Sequence, residues 1–431
     1  MEPIDHLFRR ESGRMVSVLT RIFGVHNLAL AEDVVQDAFC RAVEVWKFRG
    51  APENPAAWLM ATAKNRAIDM LRRERTALAC APELGRLIER EGDIAPALEE
   101  LFERRPIQDD SLRLMFSCCH PKLPGTAQVA LVLHLLCGFS VGEIASAFFC
   151  KCAAMEKRLT RTKKTLAGSH QLFDLTDSDF RTRLDAVHQA LYLLFNEGYH
   201  GAHTQSAVRG ELCAEALRLA GLLHESPLTA LPSTYALSAL MRLHAARLPG
   251  RIDHAGELSS LFDQDRSRWD PVLISEGLRL LDLAATGVQI SVYHIEAAIA
   301  SLHATAPSAD ETDWPHIASL YGVLMTIAPS PVVALNRAIA IAQYAGPERG
   351  LDEIHAIASA DRLAAYPFYH AALGELEARC GRGEIAREHY EKATKFARNA
   401  MERRFIAQRG AALTPRPPLP ILGEGESEGI F

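Results

Sequence analysis

This chain of 431 residues is short of several things, and each shortage excludes a class of protein. It has no run of eighteen apolar residues, so no segment reads as a membrane span. The opening stretch, MEPIDHLFRRESGRM, is polar and charged and carries no apolar core, so no secretory signal is expected. Alternating apolar–polar runs and β-branched clusters are scarce, which argues against a sheet. A surplus of positive charge is missing too. The net charge is −6 and the pI about 6.3, so any nucleic-acid interface must be local. No GxxxxGKS/T, no GxSxG and no HExxH occurs, and no catalytic activity is expected. The nine cysteines do not form the C-x2–4-C pairs of zinc sites, so they read as reduced, packed cytoplasmic thiols, with no metal and no cofactor; zinc or redox sensing, through Cys150-x-Cys152 in the turn, is the alternative. His200-x-x-His203, after Asn196-Glu197, lacks the i, i+4 pair of a zinc hydrolase and reads as buried polar positions or an internal contact. Asp263, Asp265, Arg266, Arg268, Trp269 and Asp270 read as a charge-rich junction that orients helices.

What is present is helical periodicity from end to end. With 48% hydrophobic and 23% charged residues the chain is an ordinary folded protein, long enough for two to four domains. The expected fold class is all-α: two small helical domains followed by a larger, helical-repeat-like one. Helices are predicted over 5–24, 28–48 and 55–76, with Gly50, Pro52 and Pro55 in the loop before the third. Residues 78–106 read as an acidic linker: 83–110 hold nine Asp/Glu against four Arg. From 180 to 410 amphipathic helices follow one another, separated by prolines, and paired helices recur over the last hundred residues, for example 330–345, 348–359, 366–380 and 383–397. Over 366–397 small and aromatic residues around a glycine turn resemble a tetratricopeptide-type pair. The tail 411–431, rich in Pro, Gly and Glu, is expected to be disordered.

Two segments carry chemistry. In SVGEIASAFFCKCAAMEKRLTRTKKTL, residues 140–166, a short helix from Val141 to Phe149 precedes a second with Met155, Leu159, Thr162 and Leu166 on one face. Residues 151–164 hold six Lys/Arg against Glu156 alone. Two short helices, a tight turn and a cationic second helix are what a helix-turn-helix needs to enter the major groove. Upstream, NPAAWLMATAKNRAIDMLRRERT sets Lys64, Arg66, Arg72, Arg73 and Arg75 around an apolar stripe. That suits a backbone groove with Trp58 as a stacking platform for unpaired bases. A solvated helix face with Trp58 in the core is the alternative.

LALAEDVVQDAFCRAVEVW, then NPAAWLMATAKNRAIDMLRRERT, then VALVLHLLCGFSVGEIASAFFCKCAAMEKRLTRTKKTL, in this order and spacing, resemble bacterial sigma factors of the sigma-70 family. The likeness is to the extracytoplasmic-function group, in the subgroup with a large helical C-terminal extension. It implies that 5–77 are region 2, which meets core RNA polymerase and the −10 element, and that 107–168 are region 4, which meets the −35 element. Residues 180–410 would be a helical regulatory domain that either stabilises docking on polymerase or masks regions 2 and 4 by intramolecular contact. The partners implied are core polymerase, through its β′ clamp and β flap, and promoter DNA. Asp33, Gln36, Asp37 and Phe39 fall in the polymerase-docking segment. Asn54, Trp58, Lys64, Asn65, Arg66, Asp69, Arg72, Arg73 and Arg75 fall on the −10 strand, and Lys151, Ala154, Lys157, Arg158, Arg161 and Lys164 on the −35 element. The turn departs from the family pattern: Phe149 replaces a small residue or leucine, Lys151 a Ser or Pro, and Ala154 a Thr. Losing a Ser-type cap costs about 1 kcal/mol of helix-end stability. The alternative reading is a helix-turn-helix regulator fused to a helical-repeat sensor, acting without core polymerase.

Overall fold

Helices account for the regular structure, as the periodicity predicts; among the described residues the one bridge of β type joins Ile252 to Leu258. The computed structural model describes residues 4–23, 27–73, 107–148, 150–167, 175–200, 208–253 and 255–411. The predicted linker 78–106 and, apart from Ala411, the predicted tail lie outside them, as do Arg75, Phe149 and His203. The chain divides into two compact units, Met1–Leu193 and Leu194–Phe431.

The first unit holds α1 (Ile4–Phe23), α2 (Leu28–Arg49), α3 (Pro55–Arg73), α4 (Ile107–Cys118), α5 (Gly125–Leu135), α6 (Val141–Ala147), α7 (Cys152–Ala167) and the first part of α8 (Asp177–His200). The sequence reading treats 5–77 and 107–168 as separate domains; here they are docked, with α1 packed on α4 and α5. Two features explain the docking, and a third fixes α8 beside α4. Arg21 and Asp110 form a buried ion pair at 3.0 Å. Gly13 lies so close to the end of α5 that a β-carbon there would overlap the Leu136 carbonyl, so only glycine fits. Phe180 of α8 tilts onto Phe116, ring centroids 4.7 Å apart, while the Arg183 guanidinium donates to the Phe116 carbonyl at 3.2 Å.

His188, in the same unit, is 1% exposed, and burial pushes its imidazole down to about 4. An unfolded histidine takes up its proton near 6.5, this one only near 4, so between those values the unfolded state binds more protons. Stability from this group is therefore complete above pH 6.5 and falls as pH drops toward 4, by about 3 kcal/mol in all. Urea midpoints measured from pH 7 to pH 4 should show this fall, and His188→Gln should flatten it.

The second unit continues with α9 (Gly210–His224), α10 (Pro232–Ala245), α11 (Leu248–Arg251), α12 (Pro271–Ala284), α13 (Val292–Thr305), α14 (Trp314–Ile327), α15 (Pro331–Ala345), α16 (Pro347–His355), α17 (Pro367–Arg379), α18 (Gly383–Phe396) and α19 (Ala400–Ala411). Proline opens α10, α12, α15, α16 and α17, where its missing N–H costs nothing and its φ suits the helix. Asp270 and Ser330 cap their helices by accepting from backbone N–H groups at the first turn. Each helix from α12 packs on the next, as in a repeat array. In the predicted tetratricopeptide-type pair, α17 and α18, Gly374 faces the Tyr390 ring, and a β-carbon there would stand 3.1 Å from it. The Tyr390 hydroxyl donates to Glu375 at 2.8 Å inside the pair. The final helix turns back onto earlier chain: Arg404 pairs with Glu257 at 2.7 Å, and Arg409 pairs with Asp263.

Two helix ends differ from expectation. The helix predicted over 348–359 stops at His355, and Ser359 sits in the left-handed region at φ 60°, which an α-helix cannot accommodate. The helix predicted to reach Phe149 stops at Ala147. There the Cys150 N–H reaches back to the Ala145 carbonyl at 2.9 Å and closes the turn.

Candidate nucleic-acid interface

The helix-turn-helix is built from α6 and α7. Ser140 starts α6 with a capping box. Its hydroxyl accepts from the Glu143 N–H at 3.2 Å, and the Glu143 carboxylate accepts from the Ser140 N–H at 2.9 Å. Ile144 and the small Ala145 are buried and let α7 approach. Met155, Leu159, Thr162 and Leu166 seal the inner face of α7. The opposite face is left to solvent, with Lys151, Ala154, Lys157, Arg161 and Lys164 exposed and Arg158 half-buried. This cationic face points away from the core because the apolar positions recur at helical spacing.

The α2–α3 pair is the second basic surface. Leu59, Ala63 and Ala67 are wholly buried. Asn65, Arg66 and Asp69 are exposed, while Trp58 and Lys64 are half-buried. Arg72 and Arg73 lie in the last turn of α3. Trp58 packs edge-on to Trp46, centroids 5.3 Å apart, so it is partly core and partly available as a platform. Asn54 acts locally, its Oδ1 accepting from the Ala57 N–H at 3.0 Å to cap α3. Sequence reading did not single out Phe48, which is 84% exposed at the end of α2 with the Lys47 ammonium 5.9 Å from its ring centroid. An aromatic in the last turn of a helix, next to Lys and Arg, was the available signal.

In the expected polymerase-docking segment Asp33, Gln36 and Asp37 are exposed. Asp37 pairs with Arg66 at 2.7 Å, which ties this segment to the basic helix behind it. Phe39 is buried instead, edge-on to Phe8 at 4.8 Å, so it supports the segment from below. Glu32 joins the two basic surfaces. Its carboxylate accepts from Lys163 of α7 at 2.7 Å and stands 3.2 Å from His134 Nε2 of α5. Burial raises the Glu32 pKa, but His134 and Lys163 together outweigh it and hold the carboxyl below its ordinary value. Beside this contact a cavity of about 320 Å³ opens, lined by Phe8, Val35, Gln36 and Phe139 among others.

The cysteines of α4 do not face the interface. Cys118 and Cys119 are buried, and burial pushes the Cys119 thiol up to about 12 and Cys118 well above its ordinary value. Among the described residues no group of three His, Cys, Asp or Glu side chains could hold a metal ion. Among them, too, no helix is long and apolar enough to cross a membrane.

A capped helix-turn-helix with a solvent-facing cationic helix, docked on a second basic helix pair, defines a bipartite DNA-binding protein. Residues 7–77 match Sigma-70 region 2, residues 113–166 match Sigma-70 region 4, and residues 183–285 match a family of unknown function. The chain is 40% identical over 405 residues to an uncharacterized protein of Rhizobium meliloti (strain 1021), covering 93% of this chain and 94% of that one. No solved structure matches it. The chain belongs to the sigma-70 family, in the extracytoplasmic-function group with a large helical C-terminal extension, and its role is in DNA-binding at transcription initiation.

Proposed function

We propose that this protein directs core RNA polymerase to promoters by reading a −35 element with α7 and holding an unpaired −10 strand along α3, under the control of its C-terminal helical unit. The observation that carries this reading is the row Lys151, Lys157, Arg161 and Lys164 on the open face of α7. A phosphate backbone carries the charge opposite to that of this row. Arg158, half-buried at the same surface, is placed to position against phosphate or read a base edge. On α3, Trp58 offers a stacking face and Lys64, Asn65 and Arg66 a polar groove, which together offset the few kcal/mol that unstacking a base costs. Asp33, Gln36 and Asp37 form the polar surface for the β′ clamp, and α4–α7 meet the β flap. Run-off transcription with core polymerase tests this. Full-length protein should direct specific initiation; failure to co-purify with core polymerase would leave the alternative, a regulator acting on duplex DNA alone.

The Glu32 contact bears on regulation. Glu32 precedes Asp33 on the surface proposed for polymerase, and its partner Lys163 lies on the proposed −35 helix. Polymerase and region 4 therefore share this edge of α2, and the docked arrangement has to loosen when both are engaged. Glu32→Gln removes the charge from this contact while keeping its shape. The variant should bind core polymerase several-fold more tightly, measured by fluorescence anisotropy. Unchanged or weaker binding would show that the docked arrangement does not compete.

A further inference from the structure

The end of α8 and the short helix α11 bring together a group of donors that the transcription reading does not use. Arg251 Nη2 lies 3.1 Å from His200 Nδ1, and the same guanidinium stands over the Tyr199 ring, 4.1 Å from its centroid. A guanidinium only donates, so Nδ1 is the acceptor, and the neutral imidazole carries its proton on Nε2. That N–H is buried and has no hydrogen-bond partner among the described residues. The same holds for Arg251 Nε, for the Tyr199 hydroxyl, and for Trp269 Nε1, which stands 2.9 Å from where a β-carbon on Gly250 would lie. Three of these four groups can only donate, so the cluster has donors in excess and lacks acceptors.

Its charge is as one-sided as its hydrogen bonding. Burial, and after it the charges of Arg251, Arg398, His244 and Arg247, hold the His200 imidazole well below its ordinary value. The Tyr199 ring lies 5.2 Å from His244, and Arg247 stands over Trp269 at 5.4 Å. Arg398 has a carboxylate of its own, Glu402, at 2.8 Å. Buried donors beside the Arg251 guanidinium are satisfied together by one kind of group, an anion with several acceptor oxygens. A water molecule would supply acceptors and leave the positive field as it is.

We propose that His200, Arg251 and Tyr199 form a binding site for a small oxyanion, a phosphate or carboxylate group, held by the charge of the Arg251 guanidinium. The two sequence motifs that looked like mere structural polar clusters, around His200 and around Asp263–Asp270, thereby contribute to one site through His200 and Trp269. The site lies within residues 183–285, the part of the chain that matches a family of unknown function. It gives the C-terminal unit a small-molecule input, and it stands whether or not the protein binds polymerase.

The test is isothermal titration of the full-length protein at fixed chloride, with inorganic phosphate in one arm and acetate and citrate in others, which separates phosphate from carboxylate. Saturable one-site binding with a Kd at or below about 1 mM is expected in at least one arm. His200→Phe, which keeps a ring and removes the N–H donor, and Arg251→Gln should each weaken it at least tenfold. Circular dichroism establishes that each variant is folded. A direct readout needs no variant: the His200 Nε2-bound proton in a nitrogen-labelled NMR spectrum should move with the same anion at the same concentration. No saturable signal above chloride in any arm overturns the site, as does binding that folded variants retain in full or a His200 resonance that stays in place.

Discussion

Asp110→Ala should lower the unfolding free energy of the full-length protein by about 3–5 kcal/mol, because it removes the carboxylate with which a buried guanidinium pairs. The Arg21 side chain is 5% exposed and that of Asp110 is 0% exposed, so neither charge can turn to water. The two residues are 89 apart in sequence, and their pairing joins α1 to α4. A loss at this contact therefore loosens region 2 from region 4 as well as each from its own core. The double variant Arg21→Met, Asp110→Leu should recover most of the loss, since apolar replacement of a whole buried pair is often neutral or stabilising. Urea unfolding of the wild type and the two variants measures both effects. A single-variant loss below about 1 kcal/mol would place the pair among exposed ion pairs in energy and contradict its burial.

The second large effect concerns α7. Replacing Lys157, Arg158 and Arg161 together by alanine should reduce promoter affinity by about two to three orders of magnitude at 0.1 M salt, if each meets one phosphate. The slope of log K against log salt should flatten by about 0.9 for each contact removed. The inner face, Met155, Leu159, Thr162 and Leu166, is untouched, so the fold should hold. Filter binding or anisotropy across a salt series separates the possibilities cleanly. An affinity loss with an unchanged slope would mean that these side chains act on bases or on packing; no loss at all would mean that α7 does not face DNA.

The cationic face of α7 was readable from residue order. The apolar stripe of α7 recurs every three or four residues, so the cations between its members had to face outward. The small Ala145 and the Ser140–Glu143 pair are local signals, acting within three or four residues, and periodicity arguments reach that far. Phe39 shows where such reading stops. It lies in a segment with exposed acidic neighbours, yet turns inward onto Phe8 of another helix. Helix ends were off by a few residues: α16 stops at His355, short of the left-handed Ser359. Asn54 lies in the segment that the family uses for the −10 strand, and its side chain is engaged in capping α3.

Local patterning thus accounts for the all-helical class, the order of the pieces and the cationic faces of α3 and α7, because helix amphipathicity is written at spacings of three and four residues. The contacts that organise these pieces are another matter. Glu32 meets Lys163 across 131 residues, Arg21 meets Asp110 across 89, and His200 meets Arg251 across 51. Each depends on which helix packs beside which, and nothing in the neighbouring residues specifies that. Folding set the two DNA-binding halves against each other, and gathered buried donors from α8, α11 and the chain near Trp269 around a place for an anion.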